Sequence, residues 1–169
     1  MLHLKKNYNN AFLYDKNIND RVFKHYYTNT RKKNKKHIVK CGTIILNNNK
    51  DSIMLVQNNY LLKEKNIELW GMPKGSRIGN ETYAECAARE TYEETGINIK
   101  LKNTMMRIKI NNTYYFIHIM DKPTNILVTN DKTEIYRVKW FYIKDIDSLK
   151  INLETKIFIN RKLNFVKKL

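Results

Sequence analysis

Three glutamates, Glu90, Glu93 and Glu94, stand at i, i+3 and i+4 within LWGMPKGSRIGNETYAECAARETYEETGI, residues 69–97. On a helix this spacing crowds their carboxylates onto one patch, and each adjacent like-charged pair costs about 0.2–0.5 kcal/mol. The patch also falls in the last turns, where the helix dipole disfavours anions. Lysines from elsewhere in the chain would relieve it. So would a hard divalent cation, Mg²⁺ or Mn²⁺, because closely spaced carboxylate oxygens are the donors such ions take. Glu81 and Glu85 add acids to the same stretch, and Arg77 and Arg89 add cations.

The element that carries these residues is well marked at both ends. Thr82 and Glu85 stand in the T-x-x-E relation of a capping box, and Gly96 sits where a helix C-cap takes a left-handed residue. Ala84, Ala88, Thr91 and Thr95 form a narrow stripe of small residues that lets the helix lie close to a sheet. Around it the pattern reads as strands. HIVKCGTIIL (37–46) and SIMLVQ (52–57) form one hairpin across NNNKD, and TMMRIKI (104–110) and TYYFIHIM (113–120) form a second. EIYRVKWFYI (134–143) is a further strand. Strands on either side of one helix predict an α/β core with helices on one or both faces of the sheet.

The chain has 169 residues, 42% of them apolar, enough for one domain with modest extensions. No run approaches the length of a membrane span, and the N-terminal residues lack the apolar core of a signal peptide, which predicts a cytoplasmic protein. Cys41 and Cys86 belong to no metal-ligand cluster and are expected to be reduced and buried. The formal net charge is +16, concentrated at the ends. Residues 1–40 hold eleven Lys or Arg against Asp15 and Asp20, including RKKNKK at 31–36, and NRKLNFVKKL at the C-terminus holds four more. Such a balance attracts polyanions, although Lys/Asn-rich composition alone also inflates it. Three regions follow: a basic, helical, RNA-contacting extension at 1–36, a core at 37–148, and a basic helix at 149–169 that packs on the core.

Gly75, Glu81, Arg89, Glu90, Thr91, Glu93, Glu94, Gly96 and Ile97 together resemble the signature of the Nudix hydrolases, G-x5-E-x7-R-E-U-x-E-E-x-G-U. Every fixed letter is present at its spacing, and Thr91 alone departs from the aliphatic U. The resemblance implies a mixed sheet in an α/β/α sandwich. It also implies hydrolysis of a diphosphate linkage by metal-activated water, with Mg²⁺ or Mn²⁺ as cofactor. Glu90, Glu93 and Glu94 would bind the ions, with Glu94 the direct ligand and the carbonyl of Lys74 a further one, and Glu93, Glu94 and Glu134 would be the catalytic residues. Glu81 and Arg89 would brace the loop against the helix, beside the two glycines.

The substrate lies outside the signature. Lys74, in WGMPKG, is placed to meet a substrate phosphate, and Arg77 to assist. TEIYRVKWFYIKDI (133–146) resembles the segment after the box in the mRNA-decapping branch, where the residue matching Glu134 is a metal ligand or general base. The compact, basic chain resembles the decapping enzymes of large cytoplasmic DNA viruses. Capped RNA is the expected substrate, cleaved to 7-methyl-GDP and a 5′-monophosphate RNA, with Tyr26, Tyr27, Tyr60 or Tyr114 available to stack on the cap. The alternatives are diadenosine or diphosphoinositol polyphosphates, and a catalytically silent RNA-binding module.

Overall fold

The apolar run CGTIIL is buried at every position, as a strand covered on both faces must be. In the computed structural model it occupies the middle of β1, Lys40–Asn47. The structure describes residues 38–59, 69–121 and 127–168. The expected extension at 1–36, with Tyr26 and Tyr27, and also Tyr60, lie outside the described residues.

Strand β1 runs parallel to β6 (Thr113–Met120) along its whole length, from Lys40 opposite Thr113 to Asn47 opposite Met120. At Asn111, with φ of 53°, the chain turns between β6 and β5 (Arg107–Ile110). The strand expected over 104–110 begins only at Arg107, because a turn closed by Met105 N–H on the Lys102 carbonyl precedes it. On its other side β1 meets β2 (Ser52–Asn58) at Leu46 and Ile53. Strand β4 (Lys74–Ser76) pairs antiparallel with the start of β1, Gly42 opposite Lys74 and Lys40 opposite Ser76. Strand β2 continues against β7 (Ile135–Tyr142), and its end pairs with the short β3 (Trp70–Gly71). The seven strands make one mixed sheet.

Helices cover both faces, as an α/β/α sandwich requires. Helix α1, Tyr83–Thr95, opens with the Thr82/Glu85 capping box and closes on Gly96 at φ 72°. It buries Ala84, Cys86 and Ala87 against Cys41 and Phe116. Its contact stripe runs through Ala87 rather than Ala88, which is half-buried. The burial is turned toward Glu90 and Glu94, the side that β4 covers. Thr91, the departure from the aliphatic pattern, is fully buried, 2.5 Å hydroxyl to hydroxyl from Thr43 of β1. A polar pair thus replaces an apolar contact between helix and sheet. Cys41 and Cys86 are free thiols and buried.

The opposite face is closed by the C-terminal segment: a 3₁₀ turn (Ile143–Ser148), α2 (Leu153–Ile157), a π-helical turn (Phe158–Lys162) and α3 (Leu163–Lys167). Ile146, Phe158, Leu163 and Val166 complete a core with Ile44, Leu46, Ile53, Leu55 and Tyr115. The segment belongs to the same compact unit as the sheet, 37–169. No helix among the described residues is long and apolar enough to cross a membrane.

Candidate active site

The site is built where β4 passes under α1. A Cβ on Gly75 would stand 2.0–2.2 Å from the Glu90 carboxylate, so only glycine leaves room for that side chain. One residue earlier, the Lys74 backbone N–H donates to Glu94 Oε2 at 3.0 Å. The turn preceding the helix therefore holds two of the three clustered glutamates by close approach and by hydrogen bonding.

Arg89 organises the remainder. Its guanidinium grips Glu81 through two bonds, Nε to Oε1 at 2.6 Å and Nη2 to Oε2 at 3.1 Å. Nη2 also donates to the Ser76 carbonyl at 3.0 Å. Nη1 lies 2.9 Å from both Glu90 Oε1 and Glu93 Oε2. Glu81 in turn accepts the Ile78 N–H at 3.0 Å. Arg89 and Glu81 thus lock the loop at 76–81 to the helix.

A cavity of about 590 Å³ opens beside this cluster. Five carboxylates line it: Glu90, Glu93, Glu94, Asp131 and Glu134. The last two arrive on the segment before β7. There the N–H groups of Asn130 and Asp131 cap the Glu93 carbonyl at 2.9 and 3.0 Å, satisfying acceptors that a helix end leaves open. Val128 accompanies them so closely that a Cβ on Gly96 would meet its carbonyl at 2.4 Å. Glu134 is exposed at the cavity edge, and its backbone N–H is held by Asp131 Oδ1 at 3.1 Å.

Several expected contacts take another form. The Lys74 ammonium is paired with Glu154, a carboxylate that also accepts Thr113 Oγ1 and Tyr115 Oη at 2.8 Å each. A lysine expected to meet substrate as a free charge is instead tied into a network, although it still lines the cavity. Arg77 is not among the cavity-lining residues; its guanidinium bonds to the Glu81 carbonyl and lies over the Tyr83 ring at 5.0 Å. Tyr114 likewise stacks on Tyr83 outside the cavity, and no aromatic side chain among the described residues lines it. Glu154, Thr113, Tyr115 and Asp131 escaped the sequence reading. The one local signal for Glu154 was a lone acid after Asn152, whose side chain caps α2 through the Thr155 N–H at 2.9 Å.

A profile of the NUDIX domain matches residues 36–162. The chain belongs to the Nudix family. Its fold is shared with an Ap4A hydrolase of C. elegans, at 18% identity and a TM-score of 0.59 over 77% of this chain and 99% of the other. It is shared also with the NUDIX domain of Shewanella oneidensis NrtR, solved with ADP ribose: 15% identity, TM-score 0.60, 84% of this chain and 97% of that one. A MutT NUDIX hydrolase from Burkholderia pseudomallei gives 18% identity and a TM-score of 0.55 over 74% and 97%. At such identities the likeness is one of fold, and these three are not named for RNA. No curated protein matches the chain.

Nudix hydrolases generally use divalent metals such as Mg²⁺, and the donor set here can be tested against that requirement. No three acidic, histidine or cysteine side chains among the described residues converge on one point, because Arg89 draws Glu90 and Glu93 toward itself. The electrostatics nonetheless leave a demand for positive charge. Burial pushes the Glu94 carboxyl up to about 8, despite its bond from Lys74, and the neighbouring Glu90 and Glu134 charges push it further the same way. Burial also raises the Glu90 carboxyl, against the pull of Arg89. Arg89 and Lys74 are already shared with Glu81, Glu93 and Glu154. Oxygen donors with unmet negative charge in a cavity fit a hard divalent ion. Glu90, Glu93 and Glu94 would hold it.

Proposed function

We propose that this Nudix pyrophosphohydrolase is an mRNA-decapping enzyme. One water adds across the α–β anhydride of the cap bridge and the P–O–P bond breaks, leaving 7-methyl-GDP and a 5′-monophosphate RNA. The supporting observation is how the chain distributes charge. It carries 16 acids against 32 Lys or Arg, yet five of those acids line one cavity. A soluble polyphosphate is also a dense anion, but a compact one that cations at the cavity itself can meet. A capped RNA needs both: metal-binding oxygens at the reacting bridge, and cations for the phosphodiester chain behind it.

A divalent ion held by Glu90, Glu93 and Glu94 would acidify water and offset charge on the phosphate oxygens. The protein's own part is positional. The Lys74 N–H fixes the Glu94 carboxylate, and Gly75 admits that of Glu90. Glu134 lines the cavity at its exposed rim, where it would take the proton that the attacking water gives up.

The test is product identity. With RNA labelled in the cap and Mg²⁺ or Mn²⁺ present, the unmodified protein should release 7-methyl-GDP, and Glu94→Gln should lower that rate at least a hundredfold. RNA binding without release by the unmodified protein would mark a silent module. Faster hydrolysis of diadenosine or diphosphoinositol polyphosphates than of capped RNA would assign the cavity to soluble substrates.

A further inference from the structure

We infer that a second surface, formed by Tyr83, Tyr114, Arg77, Arg107 and Lys109, grips the phosphodiester chain of single-stranded RNA next to the cap. This reading rests on the proposed decapping function and adds the path that the rest of the substrate takes.

The two tyrosines stack with ring centroids 4.8 Å apart and planes 15° from parallel. Tyr83 opens α1, and Tyr114 projects from β6 directly opposite Lys109 of the edge strand β5. Arg107 lies two residues from Lys109 on the same outward face, since Ile108 and Ile110 between and beyond them are buried. The three cations crowd the ring pair. Arg77 lies 5.0 Å and Arg107 5.4 Å from the Tyr83 centroid, and Lys109 lies 5.4 Å from that of Tyr114. A hollow of about 380 Å³ runs along the patch, lined by Arg77, Thr82, Tyr83, Asn103 and Arg107.

Charged residues on an edge strand also discourage unwanted strand pairing, which by itself would explain Arg107 and Lys109. It does not explain why they share a stacked aromatic pair with a third cation from another element. Nor does ion pairing: among the described residues, no carboxylate pairs with Arg77, Arg107 or Lys109. The nearby acids are engaged elsewhere. Glu81 is held by Arg89, and Glu85 closes the capping box on Thr82. Rings that restrain flexible cations lower the ordering cost of a phosphate contact. Backbone carbonyls restrain them further: Arg77 donates to that of Glu81, and Arg107 Nη1 to that of Asn103 at 2.9 Å, which leaves the other Arg107 donors and the Lys109 ammonium for phosphate.

Position favours RNA over an unrelated anion. Ser76 and Ile78 line the catalytic cavity, and Arg77 between them lines the second hollow, so one stretch of chain walls both. Lys40, also on the cavity wall, donates its N–H to Asn112 in the β5–β6 turn at 3.3 Å. A chain leaving the acidic cavity meets Lys40 and then the patch. Its phosphates are the chemistry the patch recognises, with no base readout.

The experiment uses the full chain, a capped, fluorescein-labelled RNA of about 20 nucleotides, and no divalent metal, so that binding is read without cleavage. Arg107→Ala/Lys109→Ala should weaken binding roughly tenfold near 0.1 M salt and reduce the slope of log K against log salt by about 1.4, two contacts at about 0.7 each. A control, Lys144→Ala/Lys156→Ala, removes the same charge elsewhere and should change neither beyond twofold. Hydrolysis of a soluble dinucleoside polyphosphate should be equal in all three proteins. Equal losses in the two double variants, or an unchanged salt slope in the patch variant, would overturn the inference. If the unmodified protein leaves caps intact while the patch variant still loses RNA, the decapping proposal falls and the RNA surface stands.

Discussion

At the scale of single residues, the site depends on buried carboxylates whose charge the fold only partly compensates. Glu94 is 6% exposed and titrates near 8 in the folded protein, above its ordinary 4.5. For an acid shifted in this direction the native state favours the protonated form. The stabilising contribution is complete below about pH 4.5 and is lost as pH rises through 8. Metal-free protein should therefore melt lower at pH 8 than at pH 5, and Glu94→Gln should flatten that fall by on the order of 2 kcal/mol, about 4–8 °C. Added Mg²⁺ or Mn²⁺ should recover more stability at pH 8 than at pH 5 in the unmodified protein. Glu154 behaves oppositely. Burial works to raise its carboxyl, but the Lys74 ammonium, with Tyr115 and Thr113, outweighs burial and holds it below the ordinary range. Glu154→Ala should cost about 1–3 kcal/mol in urea unfolding, because the Lys74 ammonium and two hydroxyls lose their acceptor. In Lys74→Met/Glu154→Ala the two losses should be smaller than additive, the signature of a direct pair.

Between elements, the distances along the chain explain what could be read from the sequence and what could not. The ends of α1 were legible because both caps are local: Thr82 and Glu85 are three residues apart, and Gly96 needs only its own φ of 72°. The glutamate cluster was legible for the same reason. The Ala87 contact was not, because the side β4 covers is a tertiary fact. Glu154 was illegible because its partner lies 80 residues away, brought near when Asn152 and Trp70 pair through a 2.8 Å backbone bond. Gly75 joins the two kinds of information. The signature required glycine, and the geometry gives the reason in the Glu90 carboxylate beside it. Gly75→Ala should expel that carboxylate and lower turnover at least a hundredfold while circular dichroism stays native. The Thr43–Thr91 pair offers a second check. Thr91→Val alone should destabilise by about 1 kcal/mol, because the Thr43 hydroxyl keeps only its long 3.5 Å contact with the Ala87 carbonyl, and Thr43→Val/Thr91→Val should regain most of it.

Over the whole molecule, the governing feature is the separation of charge: acids drawn into one cavity on a chain of net charge +16. That separation makes two demands of solution behaviour. Affinity for RNA should fall steeply with salt, as phosphate contacts require, while turnover of a small pyrophosphate should be far less sensitive. Catalysis should require a divalent ion even where RNA binding does not. Both meet in one measurement: kcat/KM for capped RNA and for a dinucleoside tetraphosphate, at equal concentrations of chelator-stripped enzyme, as Mg²⁺ or Mn²⁺ is restored. The expected result is no cleavage before metal, and afterwards a kcat/KM for capped RNA at least tenfold above that for the soluble substrate. Hydrolysis of neither compound with metal restored would contradict the catalytic reading of the cavity, and preference for the tetraphosphate would contradict its assignment to RNA.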